Sequence, residues 1–270
     1  MKLFDGKKEA EKLEQRITDY LNINPVEAVL LVVMIGDNKE SEKYVNLKKK
    51  VCERLGINIK IEMIDDSLGD SIIIGKVKKL FGAKNIKGGI IQLPLPRKSL
   101  QKALDAIPFD KDTDMISSNT LTRYYSNKPV KPSPVVRSFE HFISYNRIDL
   151  ENINCAVIGA GELVGRPLAH YLDNKKAKVV IFDDDSLYKN GEFLNFDLIV
   201  LSSGSANLIK GENLKGGCAL VDFGSSVVEG KTVGDLDLNS ELDHLGVISP
   251  SPGGMGPLVI RYLIMNFLGL

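Results

Sequence analysis

The chain has 270 residues, and its 35 Lys plus Arg balance 35 Asp plus Glu to a net charge of zero. That balance excludes the strongly basic face of a general nucleic-acid binder, and no apolar run approaches the roughly 20 residues that cross a bilayer. Three isolated cysteines, Cys52, Cys155 and Cys218, exclude a disulfide framework or zinc knuckle and, with no signal-like opening segment, point to a reduced, cytoplasmic protein without metal ligands.

The first half carries compact apolar runs: EAVLLVVMIG (Glu27 to Gly36), INIKIEMI (Ile57 to Ile64) and IKGGIIQLPLP (Ile86 to Pro96). Charged segments with helical spacing separate them, which predicts βαβ units and a mainly parallel sheet. Between Ser41 and Leu55 an amphipathic helix is expected, with Tyr44, Leu47, Val51 and Leu55 on its apolar stripe. Asp110 to Pro134 has little periodicity and reads as a loop or domain crossing. A helix from Val135 to Tyr145 follows. From Ile153 the pattern restarts: NCAVIG, a glycine turn, a helix to Leu172, then AKVVIF, FDLIVLSSG and CALVDFG as further strands. Four strands in series predict a Rossmann-like domain. The tail PLVIRYLIMNFLGL is apolar at helical spacing and is expected to return to the first domain. The fold class is therefore α/β with two domains, residues 1–132 joined by a C-terminal helix over 254–270, and a nucleotide-binding domain over 133–253.

Gly159, Gly161 and Gly165 follow a strand and precede a helix, where glycine lets the backbone approach a pyrophosphate and the helix start supplies free N–H groups. The same spacing also suits a tight turn that binds nothing. Asp183, Asp184 and Asp185 end the next strand, where an acid accepts hydrogen bonds from ribose hydroxyls and repels a 2′-phosphate; a solvated acidic turn is the alternative. Tyr44 and Lys48 stand four apart, so a phenol and an amine can share one helix face. A lysine beside apolar walls can exchange protons near neutrality, whereas one in a KKK run is commonly solvated. Gln92 ends a buried strand beside Pro94 and Pro96, a rigid platform for one amide. PSPGGMGP, Pro250 to Pro257, joins rigidity to glycines that permit close backbone approach.

At these positions the chain resembles the bifunctional methylenetetrahydrofolate dehydrogenase/cyclohydrolase (FolD) family. The matching strings are SEKYVNLKKK, GGIIQLPLP, KDTD (Lys111 to Asp114), VIGAGELVGRP, VGDLD (Val233 to Asp237) and PSPGGMGP, in the family's order over nearly the whole chain. The resemblance implies an N-terminal catalytic domain and a Rossmann-like domain with a cleft between them, and homodimers formed through the latter. It implies oxidation of 5,10-methylenetetrahydrofolate to the methenyl form with NAD(P), then hydrolysis to 10-formyltetrahydrofolate. Lys48 would handle protons in both steps, Tyr44 would stack near the folate, Gln92 would tune Lys48, and Asp114 would grip the pterin's amino-pyrimidine edge. Pro252, Gly253 and Gly254 would touch substrate; Gly159, Ala160, Gly161, Leu163, Val164, Gly165, Asp183, Ser203 and Gly204 would hold the cofactor.

Several positions depart from the family pattern. Met115 replaces the usual glycine after KDxD, ISSN replaces a His-Pro region, and KPSPVVRS (Lys131 to Ser138) replaces a Pro-Cys-Thr-Pro-x-Gly segment, with Ser133 as the nearest counterpart. Gly-Ala-Gly stands for Gly-Arg-Ser, and aspartates replace a His-Ser-Lys/Arg-Thr segment. Family precedent therefore points to NADP and local charge to NAD, with Arg166, Lys175 and Lys176 near enough in sequence to receive a phosphate. Two alternatives accompany this reading: a dehydrogenase with weak or no cyclohydrolase activity, and a non-catalytic NAD(P)- or folate-binding protein.

Overall fold

The structure, a computed structural model, describes residues 1–183 and 192–270. The chain opens with β1 (Lys2–Leu3) and α1 (Gly6–Ile23), then alternates through β2 (Val29–Ile35), α2 (Lys39–Arg54), β3 (Asn58–Ile64), α3 (Asp70–Phe81) and β4 (Ile86–Ile91). Next come α4 (Gln101–Leu104), α5 (Ser118–Tyr125), α6 (Pro134–Asn146), β5 (Asn154–Ile158), α7 (Gly165–Asn174) and β6 (Lys178–Phe182). The last part holds β7 (Leu198–Leu201), β8 (Ala219–Asp222), a short hairpin of β9 (Ser226–Val228) and β10 (Lys231–Val233), β11 (Val247–Ser249) and α8 (Met255–Leu268). Among the described residues no helix is long and apolar enough to cross a membrane.

Two compact units result, one of Leu13–Pro134 with Ile260–Leu270, the other of Met1–Lys12 with Val135–Val259. This corrects the expected boundary at the start of the chain. Lys2 and Leu3 pair in parallel with Val247 and Ile248, and Phe4 is buried edge-on against Phe142 and Tyr145, so the first residues belong to the later unit. A two-residue strand is too short to show the periodicity that would announce it.

In the unit of Leu13–Pro134 the sheet order is β3-β2-β4, all parallel. The run VLLVVMI of β2 is continuously apolar because the central strand of a covered parallel sheet is buried on both faces. Val32 and Met34 pack with Ile90 of β4, Val45 of α2 and Leu263 of α8. The buried face of α2 is Ser41, Val45, Val51 and Cys52, while Tyr44 and Leu47 are 39% and 49% exposed, so the expected stripe is rotated. Ser41 can face inward because its hydroxyl donates to the carbonyl of Leu93 at 3.2 Å. The region expected to be irregular contains α5, whose start is capped by Ser117 accepting from the Thr120 N–H.

In the other unit six parallel strands run in the order β1-β11-β8-β7-β5-β6. Four of them, β5 to β8, are the strands expected from sequence; the two short ones, β1 and β11, complete the sheet. Ala156, Ile158, Ile199, Leu201, Leu220 and Ile248 form the core beneath it. In both units the first strand of a βαβ run has its next two strands on opposite sides, β3 and β4 about β2, β6 and β7 about β5. Open parallel sheets bind ligands outside the carboxyl ends at such a reversal.

Candidate active site

The reversal at β2 gathers the chemistry-bearing residues of its unit. Gln92 leaves the end of β4 with its N–H donated to the carbonyl of Val33, which fixes the start of the side chain. Its Nε2 donates to the Leu93 carbonyl at 2.8 Å, so Oε1 is the end left to accept, and Lys48 Nζ donates to it at 2.6 Å. Lys48 comes from α2, which Asn38 caps by accepting from the Ser41 N–H at 2.8 Å. Burial pulls the Lys48 pKa below the ordinary lysine value, while the nearby charges of Asp114 and Cys52 oppose the fall. Burial also holds the Asp114 carboxyl up at about 6, the Lys48 charge pulling it down and the Asp112 charge adding to the rise. Lys48, Gln92 and Asp114 are thus brought together, and Tyr44 stands one turn before Lys48 on the exposed side of α2.

The segment carrying Asp114 runs beside β4. Gly89 and Asp112 form a parallel bridge, and Thr113 Oγ1 donates to the Gly89 carbonyl at 3.0 Å. Asn266 of α8, also buried, donates its amide to the carbonyls of Thr113 and Pro132 at 3.0 and 2.9 Å. Met115 has φ of 58°, the left-handed region where a glycine meets no Cβ penalty.

At the reversal about β5 the glycine turn divides into two kinds of position. A Cβ on Gly159, whose φ is 95°, would come within 2.6 Å of the Ser202 carbonyl, and one on Gly165 would collide with the Gly159 carbonyl. Those two glycines are required by the fold itself. Gly161 is exposed with open space where a Cβ would stand, and α7 starts at Gly165 with no side-chain cap on Val164; the Arg166 N–H is donated to the Gly161 carbonyl at 3.1 Å and Pro167 has no N–H, which leaves the Gly165 N–H of that turn for an anion. Leu163 and Val164 are half-buried beside it. These features fit a nucleotide pyrophosphate.

Asp183 directly follows β6, with Oδ1 accepting from the Ala160 N–H at 3.1 Å, which aims the carboxylate at the turn. Asp184 and Asp185 lie outside the described residues. Arg166 Nε donates to the Ala160 carbonyl at 2.9 Å and pairs with Glu162 at 3.2 Å; Lys176 pairs with Glu151 at 3.0 Å, and Lys175 stands 5.4 Å from the Tyr171 ring centroid.

After β7, Ser203 and Gly204 are held by a residue not singled out from sequence, although it lies in the quoted string VGDLD. Asp235 is fully buried, and its Oδ2 accepts from the Ser203 N–H at 2.7 Å, the Ser203 hydroxyl at 2.9 Å and the Gly204 N–H at 3.2 Å. Both backbone donors are therefore already engaged. Pro252, Gly253 and Gly254 belong to this same unit. Gly254 is buried, and Gly6 at the start of α1 donates its N–H to the Gly253 carbonyl at 3.1 Å, with no room for a Cβ on Gly6 against Gly254.

A lysine–glutamine–aspartate group at one sheet reversal and a glycine turn at another define a nucleotide-dependent α/β enzyme with separate chemical and cofactor-binding units. Residues 4–114 match the family model of the tetrahydrofolate dehydrogenase/cyclohydrolase catalytic domain and residues 133–270 that of its NAD(P)-binding domain; the chain belongs to the tetrahydrofolate dehydrogenase/cyclohydrolase family. Among its relatives, the bifunctional protein FolD of Sulfurimonas denitrificans is 34% identical over 99% of this chain and 96% of that one. The FolD of Macrococcus caseolyticus is 31% identical over 99% and 96%. The crystal structure of the bifunctional FolD methylenetetrahydrofolate dehydrogenase/cyclohydrolase from Campylobacter jejuni superposes with a TM-score of 0.88 at 29% identity, covering 100% of this chain and 98% of that one.

Proposed function

We propose that Lys48 is the proton-handling centre of a bifunctional enzyme that oxidises 5,10-methylenetetrahydrofolate to 5,10-methenyltetrahydrofolate with NAD(P) and hydrolyses the product to 10-formyltetrahydrofolate. The observation that carries this is the 2.6 Å bond from Lys48 Nζ to Gln92 Oε1 beside Asp114. Bound NAD(P) would supply the acceptor for the hydride that leaves the methylene carbon. Water adds to the methenyl carbon and loses one proton to leave a hydroxyl there; the bond from that carbon to N5 then breaks as N5 takes up a proton and the hydroxyl loses its own to become the formyl carbonyl, so one proton is released overall. A lysine with lowered pKa accepts the first proton and returns one, while Gln92 holds its amine in place. Asp114, ionised above about 6, accepts hydrogen bonds from the pterin's N–H groups. Tyr44 flanks the folate from the exposed side of α2, and the assignment of Pro252, Gly253 and Gly254 to the substrate rests on the string PSPGGMGP.

Gly159, Ala160, Gly161, Leu163, Val164 and Gly165 receive the pyrophosphate, and Ser203 and Gly204 form the neighbouring wall. NAD is favoured over NADP because Asp183 points an anion at the turn and Arg166 is turned to Glu162 and Ala160. The chain also works as a cytoplasmic homodimer joined through the nucleotide-binding unit: the three cysteines are free and buried, and the edge strand β6 exposes Val180 and Ile181. The test of the reaction is absorbance of methenyltetrahydrofolate on mixing methylenetetrahydrofolate with NAD or NADP, followed by its decay. Formation and decay both above the uncatalysed rates are expected; absence of formation with either cofactor contradicts the assignment.

A further inference from the structure

Asp112, the first aspartate of KDTD, is 3% exposed and meets no cation in hydrogen-bond contact among the described residues. Five hydrogen bonds converge on it instead. Oδ2 accepts from the Thr120 hydroxyl at 2.6 Å, the Ser117 N–H at 2.9 Å and the Ile116 N–H at 3.1 Å; Oδ1 accepts from the N–H of Ile116 at 3.2 Å and of Asp114 at 3.3 Å. A buried carboxylate that accepts from several backbone N–H groups at once fixes those donors about itself. The donors are the loop from Asp114 to Ser117 and the first turn of α5. That loop includes Met115 at φ of 58°, a conformation a methionine does not hold without surrounding restraint.

We propose that Asp112 is a positioning residue for the folate reaction, its carboxylate clamping the 114–117 loop so that Asp114 is aimed at the pterin. This rests on the functional reading of Asp114 given above. The clamp acts electrostatically too. The charged groups acting on Asp114 are Lys48 from α2, which favours the carboxylate, and Asp112, which disfavours it. Removing the Asp112 charge therefore lowers the Asp114 pKa, whereas a merely structural loosening leaves that balance to Lys48 and burial.

The experiment is steady-state kinetics of Asp112→Asn on methylenetetrahydrofolate between pH 5 and 8, beside the wild type, with thermal unfolding as the check on folding. The expected result is a folate KM raised about tenfold or more with the nicotinamide-cofactor KM unchanged, and an acid limb of kcat/KM displaced to lower pH. Absence of either effect in a folded variant overturns the proposal. Where Asp112→Asn does not fold, Thr120→Val removes the 2.6 Å donor and keeps the charge: a several-fold, folate-selective rise in KM with the acid limb unmoved is expected, and an unchanged folate KM overturns the proposal. A wild type that turns over no methylenetetrahydrofolate takes down the functional reading, and the clamp's role in catalysis with it.

Discussion

Lys48 is held between opposing influences: burial favours the neutral amine, and Asp114 favours the ammonium. Asp114 is placed likewise, burial raising its pKa to about 6 and Lys48 resisting. The sign of the pH dependence follows. Above about 6 the Asp114 carboxylate is present to accept hydrogen bonds, and as pH falls through that value it protonates, so kcat/KM for methylenetetrahydrofolate should drop roughly tenfold per unit below it. A profile flat from pH 7 to 5 would contradict the role of Asp114. Met115 gives a second residue-level prediction. The left-handed conformation costs a non-glycine residue about 1–2 kcal/mol, and burying a methionine side chain contributes about 1.5–3 kcal/mol. Met115→Gly should then change the unfolding free energy by no more than about 1–2 kcal/mol in denaturant titration. A loss of more than about 4 kcal/mol would show that the backbone there imposes no penalty on methionine.

At the scale of elements, α8 and β1 tie distant parts of the chain to the two units. Leu263 of α8 fills the core with Val32, Met34, Val45 and Ile90, so Leu263→Ala should cost about 2–5 kcal/mol of unfolding free energy, read by denaturant titration. A loss below about 1 kcal/mol would contradict that packing. Much of this architecture is legible in sequence because long apolar runs such as VLLVVMI declare buried parallel strands and glycine turns declare the strand-to-helix joints. The misses have physical causes. Leu3 pairs with Ile248 across almost the whole chain, a contact no local pattern encodes. α5 is rich in Ser, Asn and Thr, and its start depends on a carboxylate, Asp112, whose acceptor role emerges only once the loop closes around it. The buried face of α2 departs from its apolar stripe because Tyr44 and Leu47 are outward, whereas Ser41 is polar but inward. The residues Lys48, Gln92 and Asp114 stand in distinctive strings, so they are readable from sequence; Asp235, which braces the Ser203 loop from the core, is readable only as part of VGDLD.

For the whole molecule, the cofactor and the chemistry separate into independent predictions. The carboxylate of Asp183 at the glycine turn should give a higher kcat/KM with NAD than with NADP, and Asp183→Ser should shift the ratio toward NADP. Wild-type preference for NADP would show that the electrostatic argument is wrong. The most direct test of the account is the pair of activities in Lys48→Met, with NAD(P) binding followed by calorimetry. The account predicts cofactor affinity within twofold of wild type, and both methenyltetrahydrofolate formation and its hydrolysis reduced by about 10²-fold or more. A Lys48→Met enzyme that keeps both rates would contradict it.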